Sequence, residues 1–76
     1  MSKHLPSVKP REMINALERA GFYVQHSTGS HKVLKHPKKL ELRVTVAYHN
    51  EDLKKKTLIS IIRQAGYTVE EFLEFL

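Results

Sequence analysis

The chain contains no cysteine. Neither a disulfide nor a thiolate zinc site can therefore staple it, and that composition fits a reducing compartment. No apolar run approaches the roughly 18 residues of a membrane span. The N-terminus, MSKHLPSVKP, has no hydrophobic stretch like that of a signal peptide. A cytoplasmic protein with no membrane attachment is expected. Glycine is scarce: its three copies stand in separate joints, so there is no glycine-rich phosphate loop. The five histidines include no pair at helical i, i+4 spacing and no HExxH pattern. A metal site is not expected, nor is a cofactor. With 76 residues, the chain is one domain, residues 1–76, and buries only about 60% of its unfolded surface. Little remains for a deep substrate cavity.

What the chain does have is positive charge, and it is placed unevenly. Thirteen basic and eight acidic side chains give +5. Residues 31–63 hold nine Lys/Arg against Glu41, Glu51 and Asp52, while the tail carries Glu70, Glu71 and Glu74. A basic middle suits a polyanion, nucleic acid above all, although lysine-rich surface is also the ordinary way to stay solvated.

The elements follow one another with short joints. In KPREMINALERAGF, Pro10 suits a first helical position and Glu12 can close back on the Lys9 backbone. Met13, Ile14, Leu17 and Ala20 form one apolar stripe, and Gly21 ends the helix. Phe22 to Ser27 reads as a strand with Phe22 and Val24 on one face. Thr28, Gly29 and Ser30 form a turn, and His31 to His36 a second strand stopped by Pro37. In LELRVTVA, Leu40, Leu42, Val44 and Val46 take one face against Glu41, Arg43 and Thr45, a half-buried antiparallel strand. After a polar loop, Tyr48 to Lys56, Thr57 is placed to cap a second helix. Its Leu58, Ile61, Ile62 and Ala65 face inward before Gly66. TVEE, Thr68 to Glu71, is a capping box for a short final helix carrying Val69, Phe72, Leu73 and Leu76.

The order is α-β-β-β-α with a terminal helix. The expected fold is α+β: a three-stranded antiparallel meander with both main helices on its apolar face. The expected core includes Leu17, Leu42, Val44, Ile61 and Ile62. The other sheet face is left to water, where function can sit.

The segment TGSHKVLKHP, residues 28–37, carries the densest chemistry. Val33 and Leu34 both ask for burial; if Leu34 faces the helices, His31 and Lys35 point outward. A strand-initial histidine held by a tight turn is well oriented for proton transfer. Ser30 beside His31 is no hydrolase signature, because no acid is placed as orienter; it reads as a turn residue able to donate to a phosphate. His36 reads as a strand terminator and His49 as a loop residue. Lys54, Lys55 and Lys56 stand before the second helix, whose N-terminus adds positive partial charge, and make a candidate phosphate-docking edge. Tyr23 and Tyr48 are candidates for base stacking or for half-buried packing.

These segments together resemble the HicA family of toxin mRNA interferases from bacterial and archaeal toxin–antitoxin systems. LPSVKPREMINALERAGFYV resembles the family's first helix and strand, and GSHKVLKHP its histidine-bearing hairpin. RVTVAYHNEDLKKKTLISIIRQAGYTVEEFLEFL resembles its last strand, second helix and tail. The resemblance implies a double-stranded-RNA-binding-like α-β-β-β-α fold and metal-independent endoribonuclease activity on mRNA. It implies His31, of the Gly-Ser-His motif, as the catalytic residue, and a HicB-like antitoxin as partner. Gly29, Ser30, Lys32, Lys35, Lys54, Lys55 and Lys56 are the expected RNA-binding set. Three positions depart from the family pattern: Ala47 where a proline is common, Lys56 where glycine usually stands, and Ile59 in a place often basic. None is expected to touch His31.

The chemistry this implies is attack of a ribose 2′-hydroxyl on the adjacent phosphorus, with His31 taking the proton. His36, His49 or water are the candidates for protonating the leaving 5′-oxygen. Two rival readings use the same surface: a non-catalytic RNA-binding module, and an interaction protein that mainly docks an antitoxin.

Overall fold

The computed structural model describes residues 5–76; residues 1–4, part of the N-terminal stretch read above, lie outside them. Helix α1 spans Pro10–Arg19, followed by strands β1 (Tyr23–Ser27), β2 (His31–His36) and β3 (Lys39–Ala47). Helices α2 (Lys55–Gln64) and α3 (Val69–Leu73) complete the order. The strands form one antiparallel sheet in the order β1-β2-β3.

Local chemistry accounts for most boundaries. The Glu12 carboxylate accepts from the Lys9 amide at 2.9 Å, satisfying one of the orphan donors at the start of α1. Pro10 follows at the first helical position. Gly21 closes α1 with φ of +101°, a conformation that an L side chain resists. In α3, Thr68 Oγ1 accepts from the Glu71 amide at 3.2 Å and Glu71 Oε1 from the Thr68 amide at 2.9 Å, the reciprocal capping box.

One core lies between the sheet and the helices. Met13, Ala16 and Leu17 from α1 meet Leu34, Val44 and Val46 from the sheet and Leu58, Ile61 and Ile62 from α2, with Phe72 closing the end. Apolar residues at helical spacing face period-two positions of the sheet, as the two repeats require.

Two expectations fail here. Leu40 is 72% exposed, and Leu42 is only partly buried at the core's margin. The cause is register: Lys35 pairs with Arg43, yet the next β2 residue, His36, pairs with Lys39. The three β3 residues between them have no partner on β2, so alternation breaks at that end of the hairpin. Leu42 rests on the Gly66 turn, its Cδ1 3.4 Å from where a Cβ would stand.

The second concerns Thr57, which caps nothing. Helix α2 starts at Lys55, with Lys54 in extended conformation at the cap position and no side chain completing it. The boundary is set by tertiary structure. Leu53 is buried in the core, its amide donates to the Val8 carbonyl at 2.8 Å, and the Leu58 amide already returns to Lys54 at 2.8 Å.

Gly21 yields a stability prediction. A Cβ there would stand 2.7 Å from His36 Nε2. That ring is held by the Lys38 amide on Nδ1 at 3.1 Å and edge-on to Phe22 at 5.0 Å. Gly21→Ala should destabilise the protein by about 1–3 kcal/mol in urea unfolding. Adding His36→Ala should recover only the collision, because the positive φ persists. Full recovery in the double variant would show that backbone strain contributes nothing.

Candidate active site on the open sheet face

Leu34 is fully buried against the helices, so alternation along β2 turns His31, Val33 and Lys35 to the opposite face. His31 is exposed, and its backbone is fixed on both sides. The Thr28 amide donates to the His31 carbonyl at 2.9 Å, and the Tyr48 amide to the Ser30 carbonyl at 2.8 Å. The His31 amide donates to Thr28 Oγ1 at 3.1 Å. The imidazole is oriented as well: its Nδ1 lies 3.0 Å from Ser30 Oγ. When Nδ1 carries the hydrogen and Ser30 accepts it, Nε2 keeps its lone pair and faces solvent. Ser30 thus engages the histidine itself, a role beyond the phosphate contact read from the sequence.

Gly29 has no positive φ, and a Cβ added to it would meet no atom within 4 Å. Folding does not demand a glycine there. What the glycine leaves open is an unobstructed approach to the backbone beside His31.

The lysines expected around His31 are dispersed. Lys32 lies on the inner side of β2, where its Nζ donates to Ser27 Oγ at 2.7 Å and stands 4.6 Å from the Tyr48 ring centroid. Lys35 is four residues along the strand from His31, about 13 Å at strand rise, and its Nζ donates to the Leu40 carbonyl at 3.2 Å. Lys54, Lys55 and Lys56 are exposed at the cap and first turn of α2, which has no acidic residue there. Cations at that end oppose the helix dipole by a few tenths to about 1 kcal/mol each.

Departures from the family pattern also acquire positions. Lys56 and Ile59 line one shallow groove with Ser60, Arg63 and Gln64, so the cation missing at 59 is present one turn earlier. Ala47 is the direct cross-strand partner of His31. The expectation that no departure touches His31 is therefore corrected: the β3 residue beside the histidine is a small one.

His36 and His49 are occupied elsewhere. His36 uses Nδ1 on the Lys38 amide and sits at the far end of β2 on the inner side, against Phe22. His49 Nδ1 accepts from the Glu51 amide at 3.2 Å in the loop after β3. Among the described residues no three histidine, aspartate or glutamate side chains gather as a metal site requires, and no helix is long and apolar enough to cross a membrane.

Two residues that the sequence reading passed over share the open face. Strict alternation from Phe22 and Val24 would turn His26 inward. The register instead slips at Gln25, and His26 pairs with Val33, which brings it to the His31 side. Arg43 stands directly opposite Lys35, a like-charge pair that costs stability in isolation and concentrates positive charge on this face. A polar side chain at a position that alternation would bury was the available signal for His26.

The model of the HicA toxin family of bacterial toxin–antitoxin systems matches residues 10–67. The chain belongs to the HicA toxin family. The matched stretch runs from α1 through α2 and includes the whole sheet, and the α-β-β-β-α order is the one the resemblance implied. A search of the curated proteins finds no match. As a HicA toxin the chain is one half of a toxin–antitoxin pair, which calls for an antitoxin partner. The short helix α3 lies beyond the match.

Proposed function

We propose that the protein is a metal-independent endoribonuclease that cleaves mRNA with His31 as acid–base catalyst, and that a HicB-like antitoxin neutralises it. The observation that carries this reading is the mounting of His31: exposed, fixed through its backbone, and held at Nδ1 by Ser30 3.0 Å away. In its neutral form, His31 takes the proton of a ribose 2′-hydroxyl at Nε2, and the 2′-oxygen attacks the neighbouring phosphorus. The nucleophile belongs to the substrate, so no bound ion is needed to make one. One positioned acid–base group is typically worth about 10²–10⁴-fold. That is attainable on an open surface without a deep pocket. RNA is the substrate because DNA lacks the 2′-hydroxyl.

Phosphates are held by cations around the face. Gly29 lets the backbone approach, Lys35 and Arg43 line the sheet, Lys32 stands at its end, and Lys54 to Lys56 supply the positive end of α2. Incubating purified protein with RNA and with DNA of the same sequence, in EDTA, tests the activity. RNA products bearing a 2′,3′-cyclic phosphate, with DNA intact, are expected. Uncut RNA would leave the non-catalytic RNA-binding module, which the dispersal of Lys32 and Lys35 away from His31 favours.

Electrostatic binding has its own prediction. Replacing Lys54, Lys55 and Lys56 by alanine should flatten the dependence of log affinity on log salt, by up to roughly 0.7 for each phosphate that a lysine had neutralised. Fluorescence anisotropy with uncut RNA across a salt series measures the slope. An unchanged slope would mean that these lysines only solvate the helix end.

A further inference from the structure

We infer that His26 is the second catalytic residue, the general acid that protonates the leaving 5′-oxygen. This rests on the endoribonuclease reading above and supplies the group that His36 and His49 cannot. The slip at Gln25 pairs His26 with Val33, and Val33 is two residues from His31 on the same face. The two histidines are therefore diagonal neighbours on adjacent strands, with Cβ atoms somewhat less than about 7–8 Å apart. His26 is exposed and its imidazole makes no hydrogen bond or ion pair with any described residue, so neither ring nitrogen is engaged by the protein. Val33 between them is only 7% exposed although it faces outward, so the side chains standing round it close over it. The floor between the two imidazoles is apolar.

In-line displacement at phosphorus has its entering and leaving oxygens on opposite sides. A base and an acid must then flank the phosphate, each within roughly 2.6–3.2 Å of its own oxygen. Two imidazoles on neighbouring strands, separated by one apolar residue, have that spacing; two on one strand side by side would not. His31 accepts the 2′-hydroxyl proton, the 2′-oxygen forms a bond to phosphorus, and the bond from phosphorus to the 5′-oxygen breaks. The bonding pair leaves with the 5′-oxygen, which takes the proton from His26. The products are a 2′,3′-cyclic phosphate and a 5′-hydroxyl. The base role falls to His31 because Ser30 holds its Nδ1, which leaves a single defined lone pair at Nε2. Other titratable or charged side chains on this face are Tyr23 from β1, Lys35 from β2, and Glu41 and Arg43 from β3.

The test compares two RNA substrates, one natural and one with sulfur replacing the bridging 5′-oxygen at the scissile bond. A thiolate leaves without protonation near neutral pH, a cysteine thiol having a pKa of about 8.5. His26→Gln should slow cleavage of natural RNA by about 10²–10⁴-fold and cleave the sulfur substrate at the wild-type rate. His31→Gln should be defective on both. Equal loss on both substrates would make His26 a positioning or binding residue and overturn the assignment, as would wild-type cleavage of natural RNA. Rescue of His31→Gln in place of His26→Gln would reverse the roles. Wild-type protein inert on both substrates would bring down the endoribonuclease reading itself. His26→Ala, compared by circular dichroism and by binding of uncut RNA, guards against a folding defect; loss of structure in both variants would show a structural histidine.

Discussion

Replacing His31 with glutamine should abolish RNA cleavage and growth arrest while leaving a folded protein that still binds RNA. The expected loss is at least about 10²–10⁴-fold, the usual worth of one acid–base group, or roughly 2.7–5.4 kcal/mol of transition-state stabilisation. Glutamine keeps similar size and hydrogen bonding and removes the titratable ring. Folding should survive because the turn is held by backbone atoms of residue 31. Its carbonyl accepts from the Thr28 amide, its amide donates to Thr28 Oγ1, and the side chain itself is exposed. Binding of RNA and antitoxin should survive because neither needs a proton acceptor. Single-turnover cleavage of labelled RNA, with circular dichroism alongside, measures both. Cleavage near the wild-type rate would reduce His31 to a positioning residue. Loss of structure would mean that the imidazole, with its Ser30 contact, was holding the turn.

Much of this arrangement was readable along the chain because it is set by near neighbours. The stripe Met13, Ile14 and Leu17, the stops at Gly21 and Gly66, and the Thr68–Glu71 box are all decided within a few residues. So are the bounds of β2, between the Thr28–Ser30 turn and Pro37. Each of these appears in the structure where the pattern puts it. Alternation also offered two orientations for β2, and burial of Leu34 chose the one that exposes His31.

The features that escaped depend on pairing or packing at a distance. No local rule puts the slip at Gln25 rather than at another β1 residue, yet that slip decides which way His26 points. A three-residue mismatch beyond Lys35 exposes Leu40 in the same manner. Thr57 is a good cap by composition, but docking of Leu53 and its bond to Val8 start the helix three residues earlier. The relation between Ala47 and His31 is a register fact and invisible to spacing. The candidate site was thus legible in its central residue and not in its second histidine. A strand's period is written in its own residues, whereas its register is settled by the partner strand.

The tail beyond the family match should prove as necessary to the fold as the matched core. Helix α3 has five residues, Val69–Leu73, far below the roughly 12–15 at which an isolated helix becomes even marginal in water. It persists because its capping box fixes the first turn and because Phe72 is fully buried. That ring packs at 5.8 Å from Tyr67 and 5.6 Å from Phe75, centroid to centroid. Arg19 Nε, from the last turn of α1, donates to the Phe75 carbonyl at 2.8 Å and ties the tail to the opposite end of the chain. Phe72→Ala should cost about 3–5 kcal/mol, against a total of roughly 5–15 kcal/mol for a natural domain. At about 4–8 °C per kcal/mol for a domain of this size, thermal melting should drop by more than ten degrees. Leu76→Ala, at a residue 37% exposed, should shift the melt far less. Because Phe72 lies among the helices and His31 on the far face of the sheet, the folded fraction at low temperature should keep its cleavage rate. If the Phe72 variant melts within a few degrees of wild type, α3 is an appendage resting on a core that closes without it.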